Sequence, residues 1–293
     1  MVTSKHLGNS GEVNDLKEMI KENYPNNYYH YLLAINENEI LPPIKCNINV
    51  KPFNDNTLSW LSLYDLKNLT KSYLVHLVKN TTHEESEMIA LMKAFERAGA
   101  YKEKLKLFFR IDSEEQENIY RNCPQIVFPT PYREEIKKFT SNKNTIPLIY
   151  SIMRQESLFD SFARSPADAF GLLQLIPSTA KRYAKKAGVK LRNNEKLYNP
   201  KINIKIASRL IDDLLNYQNN NILLTAASYN AGRSPVTKWK RNRFKKHYDF
   251  INIEKIPYKE TRKYVKLVFR NYLTYLRILS GKKLAVNQSI INL

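Results

Sequence analysis

Glycine is scarce: the 293 residues contain seven, under half the usual share of about 7%. A chain rich in tight hairpins is therefore not expected, and neither GxGxxG nor GxxxxGK[ST] can be written, which removes the usual nucleotide-cradling loops. The two cysteines, Cys46 and Cys123, stand alone and far apart. The five histidines (His6, His30, His76, His83, His247) form neither HExxH nor a Cys/His zinc spacing, so no metal and no cofactor is expected. No apolar run approaches the roughly 20 residues of a membrane-spanning helix. The opening MVTSKHLGNSGEV also lacks the apolar core of a secretory signal. Taken literally, these residues predict a soluble, unexported chain, or else a fragment or processed product.

Acidic residues are missing from one half only. Residues 1–150 balance 19 basic against 19 acidic side chains, whereas residues 151–293 hold 28 basic and 9 acidic, so the net charge of +19 sits entirely in the second half. Such a field attracts polyanions: nucleic acid, anionic lipid or the acidic polymers of a cell wall.

The periodicity is helical throughout, and no convincing run of alternating strands is present. Apolar residues at three- and four-residue spacing predict helices over 12–23, 26–35, 57–79 and 84–98. The segment 90–109 has the rhythm of a helical-hairpin repeat, with Gly99 ending one helix and Tyr101 opening the next. Pro124, Pro129 and Pro131 crowd the point where the charge balance changes, which sets a boundary between domains 1–127 and 128–293. Beyond it, helices are expected from Pro147 to about Phe159, after Pro200, over ILLTAASY up to Gly232, and from near Lys259, with Ser178 capping another. The fold class is all-α.

Glu156 stands out against this pattern. Ile149, Ile152 and Met153 define an apolar stripe whose next position, seven residues after Ile149, is a carboxylate. Apolar neighbours raise a carboxyl pKa, which suits a proton donor. A small rotation of the helix would instead take the side chain to solvent or to a basic partner. Gln174, set among Leu172, Leu173, Leu175 and Ile176, is either a structural hydrogen bond or a ligand contact. Tyr229 ends a small-residue face (Ala226, Ala227, Ser228) that leaves room for something flat beside its ring, although a core tyrosine fits as well. Glu260 lies at a helix start, where the helix dipole alone would favour a carboxylate.

Three strings join these positions: RQESLFDSFARSPADAFGLLQLIPSTA (154–180), ASYNAGRSPVTKW (227–239) and IPYKETRKYVKLVFRNYLTY (256–275). In order and spacing they resemble the motifs of soluble lytic transglycosylases, over about residues 128–280. The resemblance implies a lysozyme-like helical catalytic domain, preceded by helical hairpins that look like the end of an α-superhelical domain. It implies cleavage of the β-1,4 bond between N-acetylmuramic acid and N-acetylglucosamine in peptidoglycan, without water, leaving a 1,6-anhydro sugar. Glu156 would be the single catalytic acid and then base, with the substrate's acetamido group assisting. Ser165 and Gln174 would line sugar subsites, Tyr229 would touch saccharide or Glu156, Glu260 would hold substrate or order the site, and Asn230 is a further candidate. Glycan strands are the implied partner and the periplasm or cell envelope the implied location.

Departures from the family pattern include Asp168 in place of glycine, Leu173 in place of methionine and Arg233-Ser234-Pro235 in place of a Pro-Gly pair. An acid at 168 is expected to raise the Glu156 pKa further, or to repel anionic substrate, and to strain its turn. Two rival readings follow from the charge and from Asp168. One is a nucleic-acid-binding helical protein using Trp239, Phe244 and Tyr248 within 238–248, which the three ordered motifs disfavour. The other is an inactive cell-wall-binding homologue.

Overall fold

A computed structural model describes residues 10–24, 26–48, 53, 55–80, 84–140, 142, 145–245 and 249–291. Among these, the helices are α1 (Ser10–Asn23), α2 (Tyr28–Asn36), α3 (Asn56–Leu63), α4 (Lys67–Lys79), α5 (Glu85–Arg97), α6 (Tyr101–Phe108), α7 (Ser113–Asn122) and α8 (Arg133–Phe139). They continue with α9 (Thr145–Ser157), α10 (Pro177–Lys186), α11 (Pro200–Tyr217), α12 (Ile222–Ala231), α13 (Arg233–Asn242), α14 (Asp249–Glu254) and α15 (Lys259–Ser280). The class is all-α, as the periodicity predicts. The described strands are a two-residue antiparallel pair, β1 (Ile40–Leu41) with β2 (Leu284–Ala285).

The chain divides into two compact units, one of residues 1–43, 132–156 and 161–293, the other of residues 44–131 and 157–160. In the first, α15 is the central element and packs against α2, α12 and α14. Its 22 residues bury Val265, Val268, Phe269, Tyr272, Leu273 and Tyr275, a stripe wide enough to serve several neighbours. At its far end, Arg277 is buried and donates to Asn26 Oδ1, to the Tyr31 hydroxyl and to the Pro42 carbonyl, so its charge is spread over fixed acceptors. A second layer is built on α11, which contacts α8, α10 and α12. Asn199 caps α11 through the Ile202 N–H, and Pro200 opens it, the combination expected of a helix start.

In the other unit, α3 to α6 pack in sequence as adjacent hairpins. Gly99, at φ 69°, turns the chain between α5 and α6. The single helix expected over 57–79 is two helices, broken where Asp65 takes φ 51°. Cys46 and Cys123 are bonded to each other, 77 residues apart. By the chain-entropy argument, a link across that span favours folding by about 4 kcal/mol.

Candidate active site

Glu156 occupies the last turn of α9, behind Ile149, Ile152 and Met153, all fully buried. The helix stops one residue later because Leu158 and Phe159 both adopt left-handed backbone, φ 52° and 66°. The carboxyl is partly enclosed and accepts a hydrogen bond from the Tyr264 hydroxyl, 2.6 Å to Oε1. Burial is the main influence on it; the Tyr264 bond favours the ionised form, and the Glu260 charge opposes ionisation. The outcome is a pKa pushed up to about 7, so the group is poised between acid and base near neutral pH.

Two phenols flank the acid. Tyr229, on α12, donates to the Leu173 carbonyl at 2.6 Å, and burial together with the Glu156 charge raises its pKa well above the ordinary value. The same two influences raise Tyr264. Both therefore remain neutral donors at any physiological pH. Glu260 is exposed in the first turn of α15, one helical turn before Tyr264. Asn230 accepts from the Thr261 hydroxyl at 2.6 Å, which ties the end of α12 to the start of α15.

The segment 161–176 is folded on itself by side chains as well as backbone. Ser165 exchanges backbone hydrogen bonds with Ala169 and Asp168, and its hydroxyl accepts from the Ala169 N–H at 3.1 Å. Gln174, at φ 43°, donates through Nε2 to the carbonyls of Ala163 and Gly171, which leaves its Oε1 without a partner among the described residues. Ser165 and Gln174 thus both brace this loop. Its anchor was not apparent from the sequence. Asn203, fully buried on α11, accepts from the Leu173 N–H and donates to the carbonyls of Phe170 and Leu197, each at about 3 Å. Its signal was of the same kind as that of Gln174, a lone amide on an apolar helix face beside Ile206 and Ala207.

Several expectations need correction. Asp168 does stand at a left-handed position, φ 61°, one that Asp tolerates better than most residues. Its Oδ1 accepts from Arg164 Nε and Nη2 at 2.8 and 2.6 Å. Glu260, not Asp168, is the acid acting on Glu156. Ser178 does not cap α10; the helix begins at Pro177, whose fixed φ suits the first turn. Arg233 joins α13 to α11, bonding Asp213 with its guanidinium over the Tyr217 ring. Trp239 is buried edge-on against Tyr258 and so is not a stacking surface for bases, while Tyr248 lies outside the described residues.

Tyr264 also went unread in the sequence, although it stands four residues after Glu260 and four before the inward Val268. Converting Tyr264 to Phe removes the hydrogen bond that favours the Glu156 carboxylate, so the pKa of that acid moves further up. The alkaline limb of any Glu156-dependent activity is expected to shift to higher pH in Tyr264→Phe. A pH–rate profile measures this; an unmoved or lowered limb would contradict the assigned bond.

The transglycosylase SLT domain family matches residues 134–252, which include Glu156, Ser165, Gln174, Tyr229 and Asn230 and stop short of Glu260 and Tyr264. The soluble lytic murein transglycosylase of Escherichia coli K12 is 35% identical over 159 residues, 53% of this chain and 24% of the relative. A putative soluble lytic murein transglycosylase of Haemophilus influenzae is 35% identical over 156 residues, 53% of this chain and 26% of the relative. The matched stretch is thus about a quarter of those proteins.

Among solved structures, the 70 kDa soluble lytic transglycosylase of E. coli aligns over 93% of this chain and 44% of its own, with a TM-score of 0.73 and 24% identity. A 70 kDa soluble lytic transglycosylase in complex with bulgecin A aligns over 95% of this chain and 45% of its own, with a TM-score of 0.75 and 23% identity. An inactive mutant of the lytic transglycosylase Slt from Pseudomonas aeruginosa covers 98% and 47%, with a TM-score of 0.71 and 24% identity. Residues 134–252 thus match the transglycosylase SLT domain family, and the all-α fold of the chain is similar to that of the solved soluble lytic transglycosylases.

Proposed function

We propose that this chain is a peptidoglycan lytic transglycosylase whose reaction is carried within residues 128–293 by one carboxyl group. Glu156 donates its proton to the glycosidic oxygen between N-acetylmuramic acid and N-acetylglucosamine. The resulting carboxylate then takes the proton of the muramyl 6-hydroxyl as that oxygen attacks the anomeric carbon. The C1–O4 bond breaks, the C1–O6 bond forms, and the glutamate ends the cycle protonated. The observation that carries this reading is the seat of Glu156 behind fully buried Ile149, Ile152 and Met153 with the Tyr264 hydroxyl on its carboxyl; that enclosure pushes its pKa up to about 7, which suits a group used first as acid and then as base. Tyr264 orients the carboxyl and steadies its ionised form between the two steps. Gln174, Tyr229, Glu260, Ser165 and Asn230 hold the glycan or the loop that meets it.

The basic surplus favours a substrate bearing lactyl and stem-peptide carboxylates, with an attraction that weakens as salt rises. The Cys46–Cys123 bond suits an oxidising compartment such as the periplasm. Purified protein incubated with sacculi is expected to release muropeptides lighter by one water than lysozyme products, read by mass spectrometry. Hydrated products would overturn internal attack by the 6-hydroxyl. Pelleting with sacculi without release would leave a binding homologue.

A further inference from the structure

Phe162 is 75% exposed. A lone exposed phenylalanine carries little meaning, but this one is neither lone nor loose. Its ring lies 5.8 Å from that of Tyr198, with the planes inclined at 32°, and Tyr198 in turn rests on Phe170 at 5.4 Å. The Arg164 guanidinium sits 5.0 Å from the Phe170 ring and is held in place by Asp168.

The backbone beneath is fixed from both sides. The Ala163 carbonyl, next to Phe162, accepts from the Gly171 N–H and from Gln174 Nε2. The Leu197 carbonyl, next to Tyr198, accepts from Asn203. Asn203 also holds Leu173, whose carbonyl accepts from Tyr229, and Tyr229 is within the electrostatic reach of Glu156. Two rings inclined at 32°, bordered by a guanidinium and a carboxylate, are thus tied through Asn203 and Tyr229 to the surroundings of Glu156.

We propose that Phe162 and Tyr198 form an additional sugar subsite, on which one pyranose ring of a glycan strand lays its C–H face while its hydroxyl edge meets Arg164 and Asp168. The chemistry matches on both counts. A pyranose has an apolar face that an aromatic ring can cover, and a rim of hydroxyls that needs polar partners. The ring being fixed beforehand, little conformational freedom is lost on binding. This inference rests on the reading of the chain as a glycan-cleaving enzyme and assigns Phe162 a binding role away from the reacting bond.

The test uses the N-acetylglucosamine hexamer as probe and titrates it calorimetrically into Glu156→Gln protein, with and without a second change at Phe162. Phe162→Ala is expected to weaken the Kd about tenfold, equivalent to ~1.4 kcal/mol, and Phe162→Tyr to restore it. In the otherwise unaltered enzyme, Phe162→Ala should raise KM on sacculi and leave kcat within about twofold, the pattern of lost uniform binding. An unchanged Kd, or failure of the hexamer to bind any of the proteins, would overturn the subsite while anhydro product from sacculi still upheld the enzyme. A concentration-dependent dimer abolished by Phe162→Ala, with Kd unchanged, would assign the rings to self-association instead and equally overturn it. Absence of product from sacculi would overturn the enzymatic reading itself.

Discussion

Glu156→Gln is expected to abolish release of muropeptides from sacculi, with turnover down by at least about 10³-fold, while binding to sacculi is retained. Glutamine keeps the shape and can still accept from the Tyr264 hydroxyl, but it has no proton to give. The same substitution makes a stability prediction of definite sign. The folded-state pKa of Glu156, about 7, is raised above the ordinary carboxyl value of 4.5, so the folded form holds its proton where the unfolded chain has lost it. Stability contributed by the protonated group is complete below pH 4.5 and is lost as pH rises to 7. Above that point the buried carboxylate costs up to about 3 kcal/mol, a cost that glutamine does not carry. Thermal melts of wild type and Glu156→Gln should therefore nearly coincide near pH 4 and separate above pH 7, with the variant the more stable. A variant less stable than wild type at pH 8.5 would mean that the carboxyl is not enclosed as described, and residual turnover near the wild-type rate would remove Glu156 from the reaction.

Gly171→Ala should be strongly destabilising. Gly171 has φ 72°, and an added Cβ would come within 2.5 Å of Asn203 Nδ2 and closer still to the Leu197 carbonyl oxygen. The methyl group must displace the amide that holds the loop, and a non-glycine residue must also accept left-handed backbone. A loss of roughly 3 kcal/mol or more is expected, lowering Tm by about 6–12 °C, together with loss of activity because the loop carries Gln174. Gly188→Ala is the matched control: its φ is 60° and nothing lies within 4 Å of an added Cβ, so only backbone strain of about 1 kcal/mol applies. Equal effects at the two positions, measured by calorimetry, would show that close packing at Gly171 is not what the loop depends on.

The features legible in the sequence were those written in local chemistry. Pro200 after Asn199, Gly232 after the small residues of α12, and the apolar face beginning beyond Lys259 each fixed a helix boundary within a residue or two. The apolar stripe of α9 left open whether Glu156 would be held against buried neighbours or turned to solvent, and the folded helix encloses it in part. What escaped was non-local, or local but concealed. The break at Asp65 lies inside an apolar rhythm that continues through it, so spacing alone could not reveal the left-handed residue. The pairing of Cys46 with Cys123 and the bond from Tyr264 to Glu156 join residues 77 and 108 positions apart, and only the folded chain brings them together. At Asp168 the awkward turn expected of a non-glycine is present, at φ 61°, but its charge does not act on Glu156 and is paired with Arg164, four residues earlier.

The Asn203 amide, in the first turn of the long helix α11, accepts a hydrogen bond from the Leu173 N–H and donates to the carbonyls of Phe170, in the same loop, and of Leu197, just before the helix. Moving that loop leaves a buried amide without its partners, so the loop does not open independently of the helix start that holds it. The shape of that loop is accordingly set before any ligand arrives, and its stiffness is inherited from the helical scaffold.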